Sequence, residues 1–120
     1  MSPADDAPTA PPRPTLLVVD DTPANLNLLA GLLNQDYRVK LATQGARALE
    51  LALREPPDLV LLDVMMPGMD GYEVCRRLKA DARTRDVPVI FVTAMSQPED
   101  EARGFEAGGA DFIHKPISPP

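Results

Sequence analysis

The chain has 120 residues, a net charge of −6 and a pI near 4.6, with 44% apolar and 25% charged side chains. That is the size of one domain with enough apolar material for a core, and its acidic balance excludes the clustered basic surface that nucleic-acid binding requires. The apolar run Leu59 to Leu62 is far too short to span a bilayer, the N-terminus lacks the basic and apolar regions of a signal peptide, and the single cysteine, Cys75, cannot form an internal disulfide, so the expectation is a soluble cytoplasmic protein.

Of the 14 prolines, Pro3, Pro8, Pro11, Pro12 and Pro14 crowd the opening, where no hydrophobic residue larger than alanine follows Met1. Residues 1–14 are therefore expected to form a flexible Pro-rich leader, because they bury too little to offset the entropy of ordering. The folded part, residues 15–120, begins with Leu16 to Val19, a continuous apolar run suited to a strand covered on both faces. Thr22 and Pro23 read as a helix cap followed by proline at the first helical position. Leu26, Leu29, Ala30 and Leu33 then form one helical face. Arg38 to Ala42 is a weak second strand, and Ala46, Leu49 and Leu53 mark a second helix stopped by Pro56-Pro57. Leu59 to Leu62 is the third strand. A glycine-rich turn, Pro67 to Gly71, leads into a third helix carrying Val74, Cys75 and Leu78. Val89 to Val92 is the fourth strand. Pro98 opens a fourth helix whose acids Glu99, Asp100 and Glu101 suit its positive end. Gly108-Gly109 closes it, and Phe112-Ile113 starts a short fifth strand. This alternation predicts an α/β fold with a parallel sheet and helices on both faces. A fifth helix is expected after the fifth strand but has no sequence to form it here, so the chain reads as a fragment of a longer protein.

In an open parallel sheet, ligands bind beyond the carboxyl ends of the strands. At those positions stand Asp20 and Asp21 after the first strand, Asp63 after the third, Thr93 after the fourth and Lys115 after the fifth. Thr43 and Gln44, after the second, bring no pointed chemistry. Three carboxylates in one notch repel one another unless a cation enters, and all-oxygen ligation suits Mg²⁺, with Mn²⁺ as a substitute. An ionised Asp63 is then a nucleophile for a phosphoryl group, with Lys115 and Thr93 placed to bind its oxygens. Taken singly, each of these residues has a duller explanation: Asp21 or Thr22 as a helix cap, Thr93 as a strand end, Lys115 as a solvated lysine. Their joint position on one edge favours a site.

The segments Leu17 to Asp21, Leu62 to Gly71, Val92 to Ala94 and Phe112 to Pro116 together resemble the receiver domain of bacterial two-component response regulators, over residues 15–116. The resemblance implies a flavodoxin-like doubly wound five-stranded sheet of order 2-1-3-4-5. It implies Asp63 as phosphoacceptor, Asp21 as a direct Mg²⁺ ligand with Asp20 acting through water, and the backbone carbonyl of Met65 as a further ligand. Thr93 and Phe112 match the family's switch pair, Lys115 its phosphate-binding lysine, and Lys115-Pro116 its usual cis peptide. The implied partners are a sensor histidine kinase or phosphotransfer protein and an output domain beyond residue 120 or a separate protein. Homodimerisation is a further expectation, and neither nucleic acid nor membrane is bound directly. The domain is then a phosphoacceptor that takes part in its own phosphorylation and dephosphorylation, with any output enzyme outside this chain. The ending Lys-Pro-Ile-Ser-Pro-Pro resembles receivers that continue into an enzymatic or kinase domain.

Phe112 lacks a tyrosine hydroxyl, so a switch there would read ring burial. Met65 and Met95 fall at positions that flank the phosphoryl group in the family, and neither can orient a hydrolytic water. Cys75 reads as core, His114 as structural, and Arg76-Arg77-Lys79 as a solvated helix face. Two rivals share parts of the pattern. A flavodoxin would need hydroxyls and amides after the first strand, where Asp20-Asp21 repels phosphate. A phosphatase of the haloacid dehalogenase type would need its nucleophile there in an Asp-x-Asp pattern.

Overall fold

The computed structural model describes residues 13–95 and 97–115. Five strands, β1 (Thr15–Val19), β2 (Arg38–Ala42), β3 (Leu59–Leu62), β4 (Val89–Thr93) and β5 (Asp111–His114), alternate with four helices, α1 (Pro23–Leu33), α2 (Gly45–Arg54), α3 (Gly71–Ala80) and α4 (Pro98–Glu106). The strands are all parallel and lie in the order β2-β1-β3-β4-β5, which is the order the family resemblance implied. The leader up to residue 12, the peptide bond to Pro116 and everything after it lie outside the described residues. Among those described, no helix is long and apolar enough to cross a membrane.

Alternation along the central strands sorts the core into two layers. Leu17, Val19, Val60, Leu62, Val89 and Phe91 point toward α2 and α3 and meet Ala48, Leu49, Ala52, Tyr72, Val74, Cys75 and Leu78. Val18, Leu61 and Val92 point the other way and meet Leu26 and Leu29 of α1. All five residues of β1 are buried, which explains its unbroken apolar run, whereas β2 at the sheet edge buries only Ala42. Cys75 is fully buried and its thiol is pushed up to about 11 by burial, as a core residue should be.

Three local readings need correction. The buried face of α2 is Gly45, Ala48, Leu49 and Ala52; Ala46 is exposed and Leu53 only half-buried. Thr22 does occupy the N-cap of α1 but its side chain caps nothing. Instead the Asp20 carboxylate accepts from the Thr22 N–H at 2.9 Å. Lys79 is not part of a solvated face: its ammonium donates to the carbonyls of Val87 (2.5 Å) and Arg85 (3.2 Å). Beside it the buried Thr84 hydroxyl donates to Leu78 O at 2.6 Å, closing the end of α3. Arg76 and Arg77 are exposed and both pair with Glu73, surface contacts that solvent screens strongly.

The turn between β3 and α3 packs backbone on backbone. Gly71 donates its N–H to Val64 O at 2.9 Å, and a β-carbon there would be driven into the Asp63 carbonyl and to 2.8 Å from the Val64 Cα. Neither neighbour can rotate away, since both are main chain. Gly71→Ala is therefore expected to cost about 2–3 kcal/mol of stability, the range for overpacking, read as a lower urea midpoint at unchanged slope.

Candidate functional site

The chain runs from β1 outward to β2 and then returns to the opposite side as β3, so the sheet order reverses between β1 and β3. A crevice opens at their carboxyl ends. Asp20 follows β1 directly and is 2% exposed; Asp63 follows β3 and is 5% exposed. Each is fixed by its neighbour strand, the Asp20 N–H donating to Ala42 O (3.1 Å) and the Asp63 N–H to Val19 O (2.9 Å). Asp21 lies beside them, exposed, and lines a groove of about 410 Å³ with Met65, Met66, Pro67 and Asp70.

Lys115 closes the site from β5. Its N–H donates to Thr93 O at 2.9 Å, and its ammonium donates to Asp20 Oδ2 at 2.6 Å and Asp63 Oδ2 at 3.1 Å. One carboxylate oxygen from each of Asp20, Asp21 and Asp63 lies within 4.8 Å of the others. Three carboxylates against one ammonium leave two negative charges on an all-oxygen donor set. That charge and those donors fit a hard divalent cation.

The remaining polar contacts hold this geometry. Asp20 accepts from Thr22 N with one oxygen and from the Asn25 amide at 3.3 Å with the other. Asn25 was not among the residues picked from sequence; its signal is a polar side chain in the first turn of α1, on the helix that starts at the site. Asp63 Oδ1 accepts from the Met65 N–H at 3.4 Å. Thr93 is fully buried and its hydroxyl accepts from the Met95 N–H at 3.2 Å. The Thr93 side chain is thus engaged within its own loop, while its carbonyl carries Lys115. Phe112 lies apart, half-buried on the α4 side, its ring 5.0 Å from Phe91 and 5.5 Å from Phe105. Met65 is 63% exposed at the rim, and Met95 packs against the core. His114 pairs with Glu101 at 3.3 Å, linking β5 to α4.

An acidic crevice bridged by one lysine thus sits at the switch point of an open doubly wound sheet, where Asp20-Asp21 after β1 would repel the phosphate of a flavin. The chain belongs to the response regulator receiver domain family, whose model matches residues 16–120. It is 50% identical over 103 residues to the response regulator PleD of Caulobacter vibrioides, covering 85% of this chain and 23% of that protein. It is 49% identical over 106 residues to a probable cyclic di-GMP phosphodiesterase of Vibrio cholerae, covering 88% of this chain and 24% of that protein. The chain thus spans about a quarter of the length of these two relatives. The receiver domain of sensor histidine kinase PA1611 from Pseudomonas aeruginosa, solved with a magnesium ion coordinated in its active site cleft, matches at 33% identity and a TM-score of 0.81, with 88% of each chain covered.

Burial raises the Asp63 carboxyl above the ordinary range; the Lys115 ammonium opposes this and the Asp20 charge adds to it. Burial works to lower Lys115, but its hydrogen bonds to Asp20 and Asp63 outweigh that and raise it. With one ammonium shared between two carboxylates, Asp63 keeps an elevated proton affinity. A carboxyl raised in the folded state favours folding most below its unfolded pKa, and that advantage is lost as pH rises through the folded value. Asp63→Asn, which removes the buried charge, is therefore expected to stabilise the domain at pH 7. Denaturation at a series of pH values should show the gain shrinking toward pH 4.

Proposed function

We propose that Asp63 accepts a phosphoryl group, and that this domain relays a signal by changing its α4–β5 surface when it does. The observation that carries the reading is the Lys115 ammonium within 2.6 Å of Asp20 and 3.1 Å of Asp63, with Asp21 completing the carboxylate set. The donor is a phosphohistidine of a sensor kinase or phosphotransfer protein. An Asp63 oxygen attacks phosphorus, the P–N bond breaks, and the imidazole leaves with its electron pair and takes a proton. Asp20, Asp21, Asp63 and the Met65 carbonyl would hold Mg²⁺, with Mn²⁺ a substitute. Bound there, the ion supplies positive charge that offsets both the carboxylates and the incoming phosphoryl oxygens.

The chain's own groups do the rest. Lys115 leaves Asp63 for the phosphoryl oxygens without leaving Asp20, since its two partners share one ammonium. Thr93 trades its contact with the Met95 N–H for a phosphoryl oxygen, and Phe112 follows as the second member of the switch pair. Phosphorylation adds roughly one net negative charge, because the carboxylate's own charge is consumed. That charge biases a two-state equilibrium. The domain is a phosphoacceptor taking part in its own phosphorylation and dephosphorylation. Its output lies in a further domain after residue 120 or in a partner protein, a reading supported by the length of the relatives. Residues 1–14 serve as a leader, residues 15–120 as the receiver, and α4–β5 as a dimer or partner surface, all in the cytoplasm.

Incubation with acetyl phosphate and Mg²⁺ should add one phosphoryl group to the wild type by intact mass. Asp63→Asn and chelator should each abolish the gain. No gain by a folded wild type would count against the acceptor role. Met65, exposed at the rim, and Met95 offer no group that orients water, so the phosphate should be long-lived. Met65→Asn should hasten its loss by about tenfold, less than a fully positioned base contributes. An unchanged decay of the phosphorylated mass would refute that role for Met65.

A further inference from the structure

Helix α4 buries one residue of its own, Gly104. Its position therefore depends on side chains that reach it from elsewhere. Two come from β5: the Phe112 ring, which occupies the space a Gly104 β-carbon would need, and His114, paired with Glu101. The third comes from α3. Tyr72, 1% exposed, donates its phenol proton to the Asp100 carbonyl in the first turn of α4 at 2.9 Å. The Arg103 guanidinium lies 4.6 Å from the Tyr72 ring centroid, and the Phe91 ring lies 5.6 Å away on the core side. A buried phenol with a helix carbonyl as acceptor and a cation on its face is held at both ends.

The other end of this contact is the acceptor turn. Gly71, the preceding residue, donates to Val64 O and packs against the Asp63 carbonyl with no room for a β-carbon. The Tyr72 backbone therefore cannot stay still if Asp63-Val64 moves. Burial, and next to it the Asp100 charge, raise the phenol above its ordinary value, so it remains a donor throughout the working pH range.

We infer that Tyr72 is a positioning residue that couples the turn after Asp63 to the first turn of α4, by a route that passes through neither Thr93 nor Phe112. The inference rests on the proposed acceptor role of Asp63. A shift of the strand end on phosphorylation is carried through Gly71 and the Tyr72 ring to Asp100, while Phe112 of the switch pair meets the same helix separately, at Gly104. The helix is thus held at two places, at its first turn through Asp100 and at Gly104.

Tyr72→Phe removes the phenol hydrogen bond and keeps the ring. Hydrogen exchange of the α4 amides should be measured in wild type and variant, with and without Mg²⁺ and beryllofluoride, a non-transferring phosphoryl mimic. The variant's free-state exchange in residues 98–106 should rise about fivefold, the loss expected for one net hydrogen bond. At equal beryllofluoride occupancy by fluorine NMR, the change that the mimic induces in α4 should fall by at least half. A faster free state with an undiminished mimic response would make Tyr72 a strut only and overturn the coupling, as would unchanged exchange in both states. Arg103→Ala, on the exposed side of α4, should move the free-state exchange in the same direction by a smaller factor; no change there would count against the grip even if Tyr72→Phe folded poorly. Failure of wild type to bind beryllofluoride at all would instead overturn the acceptor reading, and the coupling with it.

Discussion

The contact on which the rest of the site depends is one ammonium between two buried carboxylates. Asp20, Asp63 and Lys115 stand at the ends of β1, β3 and β5, and the lysine spans the sheet to reach the first two. A carboxylate as buried as Asp20 would be prohibitively costly without partners, and Lys115, Asn25 and the Thr22 N–H supply them. Removing Lys115 would leave Asp20 and Asp63 buried without a countercharge, and removing either neutral donor would leave an Asp20 oxygen short of a hydrogen bond. This is why β5, whose four residues include none that is fully buried, is still tied to the centre of the molecule.

That arrangement is unsaturated by design of its charges. Lys115 satisfies Asp20 and Asp63 together, so neither is fully neutralised, and Asp21 adds a third charge in the open. The site holds more negative charge than its own residues balance. That excess is the electrostatic setting in which a hard divalent cation fits the three carboxylates. Burial is the main reason the Asp63 carboxyl is raised, and the Asp20 charge adds to it against the opposing Lys115 ammonium.

Much of this was legible in the sequence because burial on both faces leaves a direct mark. The runs Leu16–Val19, Leu59–Leu62 and Val89–Val92 are central strands, and the residue after each became part of the site. What sequence obscured were features that depend on packing between elements. Besides Leu49, the buried face of α2 is made of Gly45, Ala48 and Ala52, small residues that let α2 approach β1 and α3 closely, so the larger Leu53 was an attractive but misplaced marker. The role of Asp20 as the hydrogen-bond acceptor at the start of α1 was hidden because Thr22 has the better capping side chain. Lys79 looked solvated because a cation's carbonyl acceptors, here Val87 and Arg85, lie a loop away and carry no side-chain signature. Asn25 and Tyr72 were missed for a similar reason: each acts through one hydrogen bond made across the tertiary structure.

The choice of phenylalanine at 112 fits this picture of a helix held by contacts from two elements. A ring without a hydroxyl has no polar group that water could hold outward, and in this structure it already rests on Phe91 and under Gly104. The two glycines nearest these rings, Gly104 and Gly109, owe their identity to that proximity, since a β-carbon on either would strike Phe112 or Phe91. The aromatic series Tyr72, Phe91, Phe112 and Phe105 thus runs continuously from the start of α3, beneath α4, to its exposed side. At centroid separations of 5.0 to 5.6 Å these rings are in aromatic packing contact. Phe112 therefore meets α4 by packing alone, against Gly104 and Phe105, and that contact does not require position 112 to form or break a hydrogen bond.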